Sequence, residues 1–357
     1  MVVLHSQRRG VGTRQRLVGA LDRAGLLRGV MQLRRLAPVP IVGIVTFHHI
    51  HDTADESDYP YDPDVADATP EQFRSRLELL ARIGTPIGME ELMRGLEGAP
   101  LPPNPVMITF DDGYRSCHDV ALPILREMGI PATFFVATSF ITERRMYWWE
   151  RVALAVRAAR RTRTRLSYPA PIEIDAGDPG ARRLLNGLIK NTKGIDIPRF
   201  LAGLYDALDV DWSPAIDAAH AERMIMTWDQ VRALERAGMR VESHTRHHHV
   251  LETLDDDGLR EELVQSRFDL ERELGHPVHA IAYPVGRRVQ QLRILMAVAA
   301  AGYRLGFANS NGINVLWPAA LRTTMAFDPL DLRRVSTSVS MSDAMFLAQL
   351  AFPLLGY

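Results

Sequence analysis

Strand-like and helix-like patterns alternate along most of the chain. Short apolar, β-branched runs typical of buried strands are separated by stretches whose apolar residues lie three or four positions apart, as in helices. The predicted strands are Ile41–Phe47, Val106–Phe110, Ala132–Ala137, Arg240–Glu242, Ala280–Tyr283, Tyr303–Phe307 and Leu321–Met325. Regular alternation predicts an α/β fold with a parallel sheet covered by helices, and the number of strands suits a closed or nearly closed barrel.

Three segments depart from this alternation. Residues 1–40 are predicted as a helical segment that precedes the barrel, and residues 341–357 as an apolar tail that follows it. Residues 142–226 are mostly helical in pattern and are predicted as an insertion beside the barrel mouth, where the loops that follow barrel strands carry function. The barrel domain is therefore predicted over residues 41–340.

The composition narrows the class of protein. Hydrophobic residues make up 46% of the 357 residues, which is enough for a sizeable core. The formal net charge of −1 gives no electrostatic basis for binding nucleic acid, so no nucleic-acid partner is expected. Cys117 is the only cysteine, which excludes an intrachain disulfide and a cysteine-based zinc site.

Two segments near the chain ends are candidates for contact with a membrane surface. The sequence contains no recognisable secretory signal and no stretch long enough for a transmembrane helix, so a cytoplasmic location is predicted. The basic segment Arg14–Arg35 and the apolar segment Met345–Tyr357 could still lie on a membrane surface. The alternative interpretation is that both are helices packed on the barrel.

The first motif that points to chemistry is Thr109–Tyr114, which reads Thr-Phe-Asp-Asp-Gly-Tyr and ends an apolar strand. Two adjacent acids at a strand end are costly unless they are used or paired. The glycine directly after them permits a tight turn. The motif indicates functional carboxylates at Asp111 and Asp112, and the alternative is that both acids cap the next helix.

The second motif is Ser243–His249, which also follows an apolar strand and contains four histidines. His244 and His248 lie four positions apart, so one helical turn would place both on the same face. With a carboxylate from another strand end they would form a three-ligand site with open positions, as catalytic metal sites have. The alternative is a solvated helix start.

The third motif is Ala282–Gly286, which reads Ala-Tyr-Pro-Val-Gly and closes another apolar strand. Taken alone, it is typical of an ordinary turn. All three motifs lie at the C-terminal ends of predicted barrel strands, where the functional residues of such barrels are found. They are therefore expected to form one site.

In this order the motifs resemble those of the polysaccharide deacetylase family, the NodB-like carbohydrate esterases. Thr109–Gly113 matches the family's Thr-Phe-Asp-Asp-Gly, and His244, Thr245 and His248 match its His-Ser/Thr-x-x-His, with Leu251 also in place. The third motif matches in part. The resemblance implies a distorted (β/α) barrel of about seven parallel strands and a metal-dependent enzyme that removes N-acetyl groups from a glycan or glycan precursor.

The resemblance also implies a role for each matching residue. Asp112, His244 and His248 would hold a divalent metal ion, for which zinc is the first expectation. Asp111 would be the general base, and the backbone N–H of Val285 would stabilise the oxyanion. These roles agree with general chemistry, since a divalent metal activates water and polarises a carbonyl while a nearby carboxylate takes the proton.

The substrate, expected to be an N-acetylated glycan, would contact residues of the motifs and of the insertion. Tyr114, Tyr283 and Pro284 are predicted contacts from the motifs. Trp148 and Trp149 could stack on sugar faces, although adjacent residues cannot share one face of a helix, so at least one of them is expected in the core.

Two departures from the family pattern affect the acid–base chemistry. Family members often carry an arginine that orients the base where this chain has Ala282, and the family's late Leu-x-His, whose histidine is the general acid, is replaced by Leu321–Thr323. The segment Val45–Ile50, however, resembles a segment of the exopolysaccharide deacetylase branch. We therefore expect His48 to supply the acid, and the alternative is that it only hydrogen-bonds the barrel rim.

Two other functions fit parts of the pattern. The barrel could hydrolyse a C–N bond in a substrate other than a sugar, or it could be an inactive carbohydrate-binding barrel. The presence of Asp111, Asp112, His244 and His248 together speaks against the inactive barrel, which needs none of them. The sequence carries no prediction of oligomeric state.

Overall fold

The computed structural model describes residues 7–51, 59, 61–318, 321 and 327–352. The strands are β1 (Ile41–Phe47), β2 (His49–Ile50), β3 (Ala66–Ala68), β4 (Thr85–Pro86), β5 (Pro105–Phe110), β6 (Ala132–Val136), β7 (Arg163–Leu166), β8 (Ile172–Asp175), β9 (Arg240–Ser243), β10 (Ala280–Ala282), β11 (Leu305–Ala308), β12 (Asn314–Val315), β13 (Leu332–Arg333) and β14 (Val335–Ser336). The α-helices are α1 (Gln7–Arg23), α2 (Leu26–Arg34), α3 (Pro70–Ile83), α4 (Met89–Leu96), α5 (Leu122–Met128), α6 (Thr138–Glu143), α7 (Trp148–Arg157), α8 (Ala181–Asn191), α9 (Ile197–Leu208), α10 (Pro214–Met224), α11 (Trp228–Arg236), α12 (Asp256–Arg260), α13 (Ser266–Leu274), α14 (Leu292–Ala300) and the C-terminal helix Asp343–Ala351.

The main sheet is a barrel whose parallel strands follow one another in sequence order. β1, β5, β6, β9, β10 and β11 are neighbours in that order, and β13 pairs with β11 while β14 returns to pair with β1. The short strands β13 and β14 therefore act as a broken seventh strand that closes the ring. The predicted (β/α) barrel of about seven parallel strands is confirmed.

The seventh strand lies at a position that the sequence analysis missed. It was predicted at Leu321–Met325, a segment that lies outside the described residues except for Leu321. The ring is closed instead by residues 332–336, where two strands of only two residues flank Arg334. A charged residue in the middle of so short a segment interrupts the apolar run by which buried strands are recognised.

Side chains alternate between the barrel interior and the surrounding helices, as the twofold period of a strand requires. Along β5, Met107 belongs to the interior cluster, whereas Ile108 and Phe110 face the helices and pack with Phe73 of α3. The barrel residues of the interior cluster are Val42, Ile44, Met107, Phe135, Ala280, Ala282, Leu305, Phe307 and Leu332. This apolar plug means that polar side chains inside the barrel gather at the ends of the strands.

The predicted insertion contains more than helices. α7, α8, α9 and α10 are there, but so is the antiparallel hairpin β7–β8, which the helical pattern did not predict. α7 packs against both α8 and α9, so the segment is one compact unit. The domain limits predicted from the sequence stay predictions.

The helices at the two ends of the described chain pack on each other. The C-terminal helix contacts α1 and α2, and Met345, Phe346 and Leu350 on it are buried. Of the two interpretations of the apolar tail, packing on the barrel therefore holds for its described part, since those side chains lie in the core, while residues 353–357 are outside the described residues. Among the described helices, none has the length and apolar character needed to span a bilayer. The cytoplasmic location stays a prediction.

Candidate active site

A pocket of about 310 Å³ opens where the strands of the barrel end. It is lined by His48, Asp62, Asp64, Val65, Asp67, Asp111, Asp112, Trp148, Trp149, Lys190, His244, His248, Val285, Gly286, Asn309, Ser336 and Thr337. Residues from all three sequence motifs are present, together with residues from the loop around β3 and from the insertion. The motifs therefore meet at one rim, as expected.

The end of β5 turns two adjacent acids in different directions. The strand alternation that sends Met107 and Thr109 into the barrel also sends Asp111 inwards, where it is buried. Asp112 then adopts a positive φ of 73° and Gly113 one of 102°, so the chain turns sharply. The backbone thus separates the two carboxylates into two environments.

Asp112, His244 and His248 form a buried group of possible metal ligands, with one ligand atom from each lying within 4.8 Å of the others. Asp112 Oδ1 lies 3.3 Å from His244 Nε2 and 3.4 Å from His248 Nε2. A tetrahedral ion with bonds near 2.1 Å has ligand atoms about 3.4 Å apart. The three side chains are therefore spaced as ligands of one ion.

The hydrogen bonds around these three side chains leave the atoms that face one another free to bind a cation. His244 Nδ1 lies 2.8 Å from the carbonyl oxygen of Ala282, which can only accept, so Nδ1 donates to it and Nε2 is the nitrogen that faces Asp112. Among the described residues, no hydrogen-bond donor reaches the buried Asp112 Oδ1. Burial, with a smaller contribution from the charges of His244 and Lys190, holds the pKa of His248 well below its usual value. Two imidazole nitrogens that face a carboxylate oxygen without a hydrogen-bond donor fit a divalent metal ion.

The two histidines are brought together by a loop and not by a helix. The spacing of His244 and His248 predicts one helical turn, but residues 244–250 are not helical. Thr245 and His248 instead adopt positive φ angles of 64° and 56°, and the two histidine rings meet edge to face with centroids 4.7 Å apart. Non-glycine residues in this conformation cost roughly 1–3 kcal/mol each and cluster at functional sites.

Asp111 is held by an arginine from the strand that closes the barrel. Arg334 Nη1 donates to Asp111 Oδ1 at 2.7 Å and Nη2 donates to Oδ2 at 2.6 Å, and both residues are buried. Burial alone would raise the pKa of Asp111, but the positive charge of Arg334, followed by that of His244, holds it below its usual value. Arg334 thus contacts Asp111 from a strand other than the one that carries Ala282, and no motif in the sequence predicted this contact.

His48 reaches the pocket from the end of β1 and is oriented by Asp67. His48 Nδ1 lies 2.9 Å from Asp67 Oδ2, and its backbone N–H donates to the same oxygen, so Nε2 faces the pocket 4.0 Å from Asp111 Oδ2. Burial alone would lower the pKa of His48, but the charge and hydrogen bond of Asp67 and the charges of Asp112 and Asp111 raise it to about 9. The histidine therefore contacts the barrel rim and also presents one nitrogen to the pocket.

The third motif forms the opposite wall. Val285 lines the pocket with a positive φ of 55°, and Gly286 follows with 66°. A side chain at Gly286 would meet the Cβ of Asn309 at 2.4 Å, so only glycine fits there. This turn is what brings the backbone of Val285 to the pocket.

A family model described as polysaccharide deacetylase matches residues 98–164 and 196–306. The chain belongs to the polysaccharide deacetylase family. The unmatched residues between the two segments fall inside the predicted insertion. No curated protein matches the chain. The family predicted from the three motifs is confirmed, and with it the general reaction class, deacetylation of a carbohydrate.

Solved structures of deacetylases share the fold of this deacetylase chain. The Streptococcus pyogenes deacetylase PplD in complex with acetate is 21% identical, with a TM-score of 0.55 over 87% of this chain and 99% of its own. A de-N-acetylase from Aggregatibacter actinomycetemcomitans is 16% identical, with a TM-score of 0.55 over 87% and 99%. IcaB from Ammonifex degensii is 18% identical, with a TM-score of 0.52 over 87% and 97%. At these identities the likeness shows the fold alone.

Three residues that were predicted to contact the substrate do not line the pocket of the deacetylase. Tyr114 is wholly buried and its hydroxyl donates to Glu150 at 2.6 Å, whereas the hydroxyl of Tyr283 donates to the carbonyl oxygen of Leu330 at 2.8 Å. Pro284 is also buried, and none of the three lines the pocket. These predictions are corrected, because side chains whose polar atoms are used to join strands and helices are not available to a glycan.

Both tryptophans of the insertion, Trp148 and Trp149, line the pocket, but nearly all of each side chain is buried. Trp149 packs on His248 with ring centroids 4.5 Å apart, and its Nε1 donates to the Tyr114 hydroxyl at 2.9 Å. Trp148 is equally buried and meets Trp149 edge to face. The insertion of the deacetylase therefore packs directly on one of the candidate metal ligands.

The mouth of the pocket is built from the loop before β3 and from α8. Asp62 and Asp64 on the loop are ion-paired with Arg182, and Asp62 also accepts from Asn186 at 3.0 Å. Lys190, at the end of α8, lines the pocket as well. Among the described lining residues it is the only lysine or arginine. No local sequence pattern predicts this mouth, because the loop and α8 lie about 120 residues apart in the chain.

Proposed function

We propose that this chain is a metal-dependent N-deacetylase that hydrolyses the acetamido group of a glycan or glycan precursor. The family supplies the general reaction, and the arrangement of Asp111, His48 and the three candidate ligands supports the finer assignment. The resemblance of Val45–Ile50 to the exopolysaccharide deacetylases favours that branch. A non-sugar amide remains the second candidate, and substrate assays separate the two.

The observation that carries the proposal is that Asp111, held by Arg334, and His48, held by Asp67, face each other in the pocket. The pKa of Asp111 is lowered and that of His48 is raised to about 9, so near neutral pH the carboxylate is ionised and the imidazole is protonated. Titratable neighbours whose pKa values are pushed apart are typical of a base and an acid that serve one reaction. Their facing atoms are 4.0 Å apart, close enough to serve one amide.

The steps follow from these positions. Asp111 accepts a proton from the attacking water, and Arg334 keeps the carboxylate ionised and directed into the pocket. His48 Nε2 then donates a proton to the departing amine, while Asp67 holds Nδ1. The backbone N–H of Val285 is proposed to donate to the oxygen of the tetrahedral intermediate, where such donors have their largest effect.

Asp112, His244 and His248 would hold the metal ion, which when bound supplies a Lewis acid for the carbonyl and lowers the pKa of water. Zinc is the first choice, because two imidazoles and one carboxylate suit it and the spacing near 3.4 Å matches a tetrahedral ion. Another first-row ion is compatible with the same donors.

Acetate release from a panel of N-acetylated glycans, measured beside metal analysis of the purified protein, tests the reaction. We expect acetate release that stops when a chelator removes the ion and returns when zinc is restored. Release of acetate without any bound metal would contradict the metal dependence. Activity confined to non-sugar amides would replace the proposed substrate by the second candidate.

The role of His48 is tested with two leaving groups. We expect His48→Ala to keep the metal and the fold but to lower amide hydrolysis by roughly two to four orders of magnitude, because the amine must be protonated to leave. An activated ester, whose leaving group needs no proton, should be much less affected. His118→Ala, outside the pocket lining, is the control. Equal losses for amide and ester would exclude His48 as the acid.

A further inference from the structure

The outer face of the N-terminal helix pair, defined as α1 and α2, carries large apolar side chains although it faces solvent. The inner face is in the core, where Val18, Leu27 and Met31 are buried and pack with the C-terminal helix. Arg34 fastens the pair, because its Nη1 donates to the carbonyl oxygen of Leu350 at 2.7 Å. The pair therefore has a fixed position on the barrel.

Four leucines project from the other side of this pair and from the residues just after it. Leu17, Leu26, Leu33 and Leu36 are between 54% and 80% exposed. Leu26 and Leu33 are seven positions apart, which is close to two helical turns, so they share one face of α2. Large apolar side chains that are exposed together on one face are typical of a surface that binds a partner or a membrane.

The charge around these leucines is strongly positive. The first 40 residues contain eight arginines and a single acid, Asp22, which gives this segment a formal charge of +7 in a chain whose net charge is −1. Arg16, Arg23, Arg28 and Arg35 are exposed beside the leucines. A helical segment with apolar and arginine-rich exposed faces has the composition of interfacial helices.

The protein has a second patch of exposed apolar side chains, so such exposure alone does not distinguish the outer face of the N-terminal helix pair. Val264, Phe268, Leu292 and Met296, on the helices around α13 and α14, are between 48% and 70% exposed. The charges around them are mixed and paired, as in the contact of Arg293 with Asp256 at 2.7 Å. Of these two patches on the described part of the chain, it is the N-terminal pair that combines exposed leucines with an excess of positive charge.

We propose that the outer face of the N-terminal helix pair docks on an anionic lipid surface. The leucines would enter the boundary between headgroups and acyl chains, and the arginines would contact the lipid phosphates. The charge of the segment selects an anionic membrane over a second copy of the chain, because two such faces would repel each other. This proposal is independent of the reaction in the pocket.

Sedimentation with lipid vesicles tests the proposal. We expect the full chain to bind vesicles that contain phosphatidylglycerol, to bind vesicles of phosphatidylcholine weakly, and to be released by added salt because surface charges are screened. The variant Leu26→Gln/Leu33→Gln/Leu36→Gln should lose at least about tenfold in apparent affinity through lost apolar burial. Arg16→Gln/Arg23→Gln/Arg35→Gln should lose the preference for the anionic vesicles.

Leu292→Gln/Met296→Gln is the matched control, since it removes equally exposed apolar side chains from the second patch, and it should bind as the unchanged chain does. Thermal unfolding and acetate release of every variant verify that the fold is kept. An equal loss in the control, equal binding to both kinds of vesicle, or a dimer that the leucine variant dissociates would each overturn the proposal.

Discussion

The two halves of the pocket are built in different ways. The candidate metal ligands Asp112, His244 and His248 come from two short motifs at strand ends, and local backbone turns bring them together. The acid–base half consists of two pairs that join different segments of the chain, with His48 and Asp67 separated by 19 positions and Asp111 and Arg334 by 223. Short motifs therefore contain the candidate ligands, whereas partners from other segments shift the pKa values of Asp111 and His48.

The halves also differ in how complete they are by themselves. Asp111 and His48 already have the partners that set their pKa values. The buried oxygen Asp112 Oδ1, in contrast, meets no hydrogen-bond donor in the part of the chain that the structure describes. Loss of one candidate ligand is thus expected to abolish metal binding. Loss of the partner of Asp111 or His48 is expected to change the pH dependence of the reaction.

The largest effect is expected at the ligand histidines. His244→Ala or His248→Ala should reduce metal content and bring acetate release to background, because a three-ligand site cannot replace a lost imidazole with equal strength. Metal analysis and acetate release measure the two outcomes. His249→Ala in the same loop is the control, since that residue faces Glu262 and not the pocket. Full metal occupancy in either ligand variant would contradict the assignment.

Substitutions of the two adjacent acids, Asp111 and Asp112, should have different effects, because one belongs to the acid–base half and the other to the candidate metal ligands. Asp111→Asn should keep the metal yet lose roughly two to four orders of magnitude in turnover, the usual effect of removing a general base. Asp112→Asn should lose metal as well as activity. The measurements are metal content and acetate release for both variants. Equal metal loss in the two would mean that the halves are not distinct.

A smaller effect is expected when the base keeps its carboxylate but loses its partner. Arg334→Lys should lower turnover by roughly tenfold to a hundredfold, because lysine keeps the charge without the paired hydrogen bonds. The pKa of Asp111 should rise, and since the ionised base is lost as the pH falls through that pKa, the acid limb of the rate profile should move to higher pH. Arg333→Lys is the adjacent control. An unmoved acid limb would show that Arg334 only supports the fold.

The smallest effect near neutral pH is expected at Asp67. Asp67→Asn removes a charge that raises the pKa of His48, so the protonated acid is lost at lower pH and the alkaline limb should move down. In the unchanged enzyme that limb is expected below about 9, because a bound divalent cation also lowers this pKa. The rate profile at acidic pH should barely change. Asp64→Asn, in the same wall, should leave the alkaline limb in place.

Much of the fold and of the ligand group could be predicted from the sequence, because both depend on local patterns. Apolar runs identified six of the strands, and the Asp-Asp-Gly and His-x-x-x-His motifs identified the ligand candidates. The expected helical turn from His244 to His248 was nevertheless wrong, since positive φ angles at Thr245 and His248 are not visible in residue spacing.

The partners of the acid and the base could not be predicted in the same way. Arg334 stands next to Arg333 in a charged segment, and nothing local distinguishes the buried arginine from the half-exposed one. Asp67 is buried within a strand of three residues, which is too short for a reliable pattern. One indirect signal existed for Arg334, because a buried base without the family's usual arginine requires a cation from elsewhere.

The position of Arg334 in the last barrel strand has a consequence for how the enzyme becomes active during synthesis. All three motifs have been synthesised once the chain reaches residue 286, but the strand that closes the ring and carries Arg334 comes later and pairs with β1, about 290 positions earlier. Contacts over such distances form late, since they close the longest loops. A ribosome-bound chain that stops short of residue 332 therefore carries the family motifs without a charged partner for its base. Closure of the barrel therefore also supplies the charged partner of Asp111.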